Sequence, residues 1–139
     1  MPAVFAEPIA SNLIEWTAGG PRLIASRDRN NGRVVFPAIE GDERFDRILL
    51  PPHGRLWSWT VQRFRPKSPP YAGPEAFESY AVGYVQIDGA LIVEARLAAV
   101  AFDALRIDMP MQLVALPFTL ESGEERTIFA FAPDLGEVR

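Results

Sequence analysis

The chain contains no cysteine and only one histidine in 139 residues. Disulfides and thiol catalysis are thereby excluded. A structural zinc site of the ordinary kind is excluded too, because it draws four ligands mostly from thiolates and imidazoles. No apolar run approaches the roughly 18 residues of a membrane-crossing helix. The opening Met1-Pro2-Ala3-Val4-Phe5 lacks the basic region and long apolar stretch of a secretory signal, so the expectation is a soluble cytoplasmic protein. Positive charge is also in deficit. Fourteen Lys and Arg stand against 18 Asp and Glu, giving a net charge of −4 and a pI near 5.0. That balance argues against generic binding of a phosphate backbone.

What is present describes a small β protein. Hydrophobic residues make up 48% and aromatics 11%, enough for a real core, while 13 prolines and 10 glycines favour short strands and turns over long helices. The length suits one domain, or a barrel with a small appendage. Ala10 to Thr17 reads as a short helix, with Asn12 and Glu15 as a capping pair and Gly19-Gly20-Pro21 as its stop. Trp16 is expected to pack that helix onto the body. Strands are predicted near Arg22 to Ser26 and Arg33 to Ile39, joined by the polar turn Asp28 to Gly32. Asn31-Gly32 is a hairpin signal because both residues tolerate positive φ. Gly41 to Arg47 reads as a turn. Ile48-Leu49-Leu50 is either the mortar between hairpin and barrel or an exposed docking patch.

From Gly54 onward the pattern becomes five strand-like runs. Arg55 to Phe64 is the first, with Trp57, Trp59 and Val61 assigned to one face. Tyr80 to Ile87 and Ala90 to Leu97 flank the hairpin signature Asp88-Gly89. Alternation of Leu91, Val93, Ala95 and Leu97 with Ile92, Glu94 and Arg96 is what a barrel strand requires. A helical turn near Phe102 to Arg106 precedes the last runs, Met111 to Phe118 and Arg126 to Phe131. This order predicts the five-stranded Greek-key OB barrel.

Ordered segments along the chain then resemble a known family. They are Trp16 with Ser26-Arg27-Asp28-Arg29-Asn30-Asn31-Gly32-Arg33-Val34-Val35-Phe36-Pro37, then Gly54-Arg55-Leu56-Trp57-Ser58-Trp59-Thr60-Val61. Tyr80 to Gly89, Leu105 to Met111 and Phe129-Ala130-Phe131-Ala132-Pro133 complete the set. The family is that of bacterial and archaeal OB-fold proteins with an N-terminal rubredoxin-like zinc ribbon, associated with acyl-CoA metabolism. Asp28 and Asn31 stand where the first thiolate pair would sit, and the stretch Ala38 to Asp46 is shortened where the second would lie. Asp108 occupies the place of the glycine usual before Met-Pro. The resemblance therefore implies a degenerate, zinc-free ribbon, with zinc not expected.

The resemblance also implies a role as an accessory subunit. Family members typically partner thiolase-fold enzymes, thiolase-like aldolases or hot-dog-fold hydratases, and help form an acyl-CoA channel. A thiolase-like or hydratase-like enzyme is accordingly the expected partner, with no tightly bound cofactor and acyl-CoA as the ligand. Self-association is compatible with this reading. CoA needs cations for its phosphates and a flat apolar surface for its adenine. Gln62 to Tyr80 offers both, which nominates Arg63, Arg65, Lys67, Tyr71, Phe77 and Tyr80 as CoA contacts. The bland account is a solvated strand end with aromatics over the barrel mouth. Arg27, Arg29 and Arg33 read as surface charge, His53 as a loop histidine with no partner carboxylate in sight, and Glu94 with Arg96 as a surface pair. No catalytic residue, P-loop or metal motif appears, so independent catalysis is not expected. A rival reading is an OB-fold binder of single-stranded nucleic acid, with Trp57 and Trp59 as stacking platform. The division expected is 1–49 for helix and ribbon hairpin, and 50–139 for the barrel with its tail.

Overall fold

The computed structural model describes residues 12–63, 79–87, 91–120 and 122–134. Nine strands make up nearly all of its regular structure: β1 (Ile14–Thr17), β2 (Gly20–Asp28), β3 (Val34–Val35), β4 (Phe45–Leu49), β5 (His53–Gln62), β6 (Tyr80–Ile87), β7 (Leu91–Leu97), β8 (Pro110–Thr119) and β9 (Glu125–Pro133). A single 3-10 turn at Phe102–Ala104 joins β7 to β8.

The first four strands form a small antiparallel sheet around β2, which pairs with β1, β3 and β4. The other five close a barrel in the order β5-β6-β7-β9-β8, the OB topology. The seam is parallel between β7 and β9, with only Arg96 opposite Ala130 and Leu97 opposite Phe131. Inward alternation fills the barrel as expected: Val93, Ala95 and Leu97 from β7 pack with Leu56, Val85, Ile87, Met111, Leu113 and Phe131. Leu23, Ala25 and Leu50 join the same core from the N-terminal sheet, so one apolar interior serves both parts. Leu50 is buried and its N–H donates to Leu23 O at 2.9 Å, which settles the Ile48-Leu49-Leu50 run as mortar. Phe36 and Phe129 add an edge-to-face contact at 5.8 Å between the two sheets.

Several expectations are corrected. The helix over Ala10 to Thr17 is not formed: Ile14–Thr17 is strand β1, turning back through Gly20 at φ 112° to pair with Leu23 to Gly20. The Asn12/Glu15 capping signal is local and weak. Ile-Glu-Trp-Thr is a β-prone tetrapeptide, and a waiting edge of β2 satisfies its backbone. Trp16 is 46% exposed rather than packed away. Gly41 to Arg47 is not all turn, since Phe45–Leu49 supplies β4, the longest partner of β2 in this sheet. The second hairpin strand is only Val34–Val35.

The tryptophans on β5 do not share a face. The pairing of β5 with β6 slips between Leu56 and Ser58, a β-bulge. One extra residue reverses the alternation. Leu56 is therefore buried before the bulge and Trp59 and Val61 pack on the core after it, while Trp57 is left outside, 57% exposed.

Candidate functional site

At the end of the barrel where β5 finishes and β6 begins, arginines lie against aromatic rings. The three-residue connection after Ile87 puts Val82 opposite Arg96 and Ala81 opposite Leu97. Tyr80 and Arg96 thus become diagonal neighbours on one face, within reach of long side chains. The Arg96 guanidinium sits 3.7 Å from the Tyr80 ring centroid and 5.3 Å from that of Phe118 on β8. Arg63, just beyond β5, lies 5.9 Å from the ring of Phe102 in the 3-10 turn. Arg96 and Tyr80 are half-buried, and Arg63 and Phe102 are exposed.

A guanidinium stacked on a ring is held by its face. Its edge, where the N–H donors are, stays available for a planar anion such as phosphate. Cations and flat apolar surface are therefore assembled from five separate segments. Of the residues nominated from sequence, Arg63 and Tyr80 fall here, while Arg65, Lys67, Tyr71 and Phe77 lie outside the described residues. Arg96 and Phe118 were missed. The expected surface pair of Glu94 with Arg96 is not formed, and the contact of Arg96 is with rings. Register counting from the Asp88-Gly89 hairpin would have brought Arg96 beside Tyr80; nothing in the sequence announces Phe118.

The ribbon-like hairpin is closed by its own polar side chains. Asp28 Oδ1 accepts the N–H groups of Asn30 at 2.7 Å and Asn31 at 3.3 Å, and Asn31 Oδ1 accepts that of Arg33 at 2.8 Å. These are Asx turns. Of Asn31 and Gly32, only Gly32 takes positive φ, at 74°. Across from it, Asp42 Oδ1 accepts the Arg44 N–H at 2.9 Å, and its Oδ2 takes the Arg44 guanidinium at 2.8 Å. The hydrogen bonds from the Arg44 side chain, and next its backbone N–H, hold the Asp42 carboxyl down at about 2. Arg44 is raised in turn by the same contact. Arg29 ties the two loops: its N–H donates to Arg44 O at 2.8 Å and its Nε to Asp46 Oδ1 at 2.7 Å. The donors at Asp28 and Asn31 are one carboxylate and one amide, each already engaged by backbone. Among the described residues no three His, Cys, Asp or Glu side chains gather to hold a metal ion. The residues present do not fit a structural zinc.

Asp108 stands at φ 68°, the left-handed conformation that glycine takes most easily. Its N–H donates to Leu56 O at 2.6 Å, fastening the turn before β8 to the bulged stretch of β5.

The family model of the ChsH2 C-terminal OB-fold domain matches residues 48–116. Over those residues the chain is similar to a ChsH2-type OB domain. Its acyl-CoA-associated OB-fold family is the one the sequence resembles. The likeness in fold runs wider than the family match. A solved structure described as the Ltp2-ChsH2(DUF35) aldolase superposes with a TM-score of 0.60 at 22% identity, covering 82% of this chain and 86% of that one. At that identity the shared property is the fold. Comparison with curated proteins gives no match. Among the described residues, no helix is long and apolar enough to cross a membrane.

Proposed function

We propose that this chain is a non-catalytic accessory subunit that docks on a thiolase-like or other acyl-CoA-processing enzyme. In this reading its arginine–aromatic barrel end forms part of the acyl-CoA entrance. The observation that carries the reading is the Arg96 guanidinium 3.7 Å over Tyr80, with Arg63 on Phe102 beside it. The ChsH2-type barrel supports it, as does the likeness to a ChsH2 chain solved in an aldolase with Ltp2. Arg65, Lys67, Tyr71 and Phe77, which lie between Arg63 and Tyr80 in sequence and outside the described residues, remain nominated as CoA contacts. The positively charged groups meet the phosphates and the rings meet the adenine.

The test has two stages. A tagged chain is recovered from its native cell, and the co-purifying enzyme is identified by mass spectrometry. Acyl-CoA affinity of that complex is then measured with Arg96→Ala and Arg63→Ala. Each loss should weaken binding about tenfold, as expected for removal of a charge-assisted phosphate contact. Unchanged affinity in the double variant would sink the site assignment, and recovery of the chain without an enzyme would sink the subunit reading. The rival, a single-stranded nucleic-acid binder, draws on exposed Trp57 and Tyr84 on neighbouring strands. It requires steeply salt-dependent oligonucleotide binding, against a net charge of −4.

A further inference from the structure

The opposite end of the barrel carries a second constellation. There the start of β5, the end of β6, the start of β8 and the residue after β9 enclose an open cleft of about 480 Å³, lined by His53, Gly54, Arg55, Gln86, Pro110 and Asp134. From this cleft we infer a second ligand site, built to hold a carboxylate or phosphate group on Arg55 and His53.

Both side chains are positioned from behind. His53 Nδ1 lies 3.0 Å from Asp134 Oδ2. A carboxylate only accepts, so Nδ1 carries the proton, and Nε2 is left toward a ligand as an acceptor for a ligand O–H. Asp134 is itself anchored, its N–H donating to Pro110 O at 2.9 Å. Arg55 Nη1 donates to Asp108 O at 3.0 Å, with the Asp108 carboxylate at 4.0 Å. This contact uses one edge of the guanidinium and leaves the rest of the fork on the rim. His53 and Arg55 are two apart on β5, so they share a face about 7 Å apart along the strand. A hydrogen phosphate spans that gap, one oxygen accepting from Arg55 and its P–O–H donating to His53 Nε2, whereas a carboxylate takes the Arg55 fork alone.

The backbone is shaped for the same purpose. A Cβ at Gly54 would stand 2.6 Å from Gln86 O and 2.7 Å from Val85 Cγ1. Only glycine lets β6 come this close, and the approach brings Gln86, with both a donor and an acceptor, to the wall facing Arg55 and His53. Asp134 and Asp108 offset the positive charge of Arg55. Such a balanced site selects for an anion that makes directed hydrogen bonds over one attracted by charge alone.

The site is independent of the acyl-CoA reading and is tested on the full chain without any partner. Amide and imidazole NMR signals are followed while sodium phosphate, or sodium acetate, is added at constant ionic strength set with sodium chloride. Saturable shifts should centre on His53, Arg55 and Gln86. Arg55→Ala should weaken the fitted affinity about tenfold, the loss of one charge-assisted contact. Arg55→Lys, keeping charge but losing the fork, should fall between. Asp134→Asn should weaken it severalfold by freeing the imidazole, and Arg33→Ala on the distant hairpin should change nothing. Saturation by phosphate alone assigns the site to phosphate esters, and saturation by both anions extends it to carboxylates. Shifts that never saturate with either anion, or that survive Arg55→Ala in a folded protein, overturn the proposal.

Discussion

The N-terminal sheet and the barrel share one core yet are held together by different forces at their far ends. In the barrel, buried apolar side chains from all five strands meet around Phe131, and strand pairing closes on itself. The N-terminal sheet keeps this character where Leu23 and Ala25 reach the shared interior and Ile14, Val34, Phe36 and Ile48 pack against it. Around the hairpin loops polar contacts prevail. Asp28, Asn31 and Asp42 take over by accepting backbone N–H groups, with Arg29 and Arg44 bridging the loops. The hairpin that resembles a zinc ribbon in sequence is closed here by carboxylates and guanidinium groups. Cohesion of this second kind is local, exposed to water and weak per contact.

The sharpest way to break the contrast is to remove Phe131, which is fully buried on β9. Phe131→Ala should cost about 3–5 kcal/mol in chemical denaturation and should loosen both regions together, because their core is one. Separate unfolding of the N-terminal sheet would contradict that. Asp28→Ala probes the other kind of cohesion. Its loss should be about 1 kcal/mol, and hydrogen exchange should quicken at Asn30 and Asn31 while the barrel amides stay protected. The smallest effect is expected from acid. The Asp42 carboxyl is depressed to about 2 by Arg44, so its bracing of the loop is complete above the ordinary carboxylate value of 3.8 and is lost as pH falls through 2. An NMR titration of Asp42 and the Arg44 amide should show that midpoint, with the barrel signals unmoved by this step.

Most of the barrel could be read from the chain, since β6, β7 and the Asp88-Gly89 turn follow period-two alternation and turn chemistry. The failures are just as physical. β1 was misread because four residues carry too little periodicity to outweigh a spurious cap. The choice was made by the free edge of β2, which local sequence does not display. Trp57 was misplaced because a bulge changes the side-chain parity of every residue before it relative to those after it, and no residue type marks one. At the candidate site, Arg63 and Tyr80 were legible as cation and aromatic near a loop. Arg96 needed the hairpin register. The pairing of His53 with Asp134 spans 81 positions and depends on barrel closure, so no local pattern could reveal it.

The closure between β7 and β9 rests on two residue pairs, and one of them belongs to Arg96. The same residue that offers its guanidinium at the barrel mouth is thus also a rung in the shortest ladder of the wall. Barrel and mouth are mechanically one joint: whenever the seam breathes, the cation tilts against Tyr80, and whatever grips the cation also clasps the seam. A partner or ligand bound there would act as a clamp on the barrel, slowing the opening of strands that it never touches.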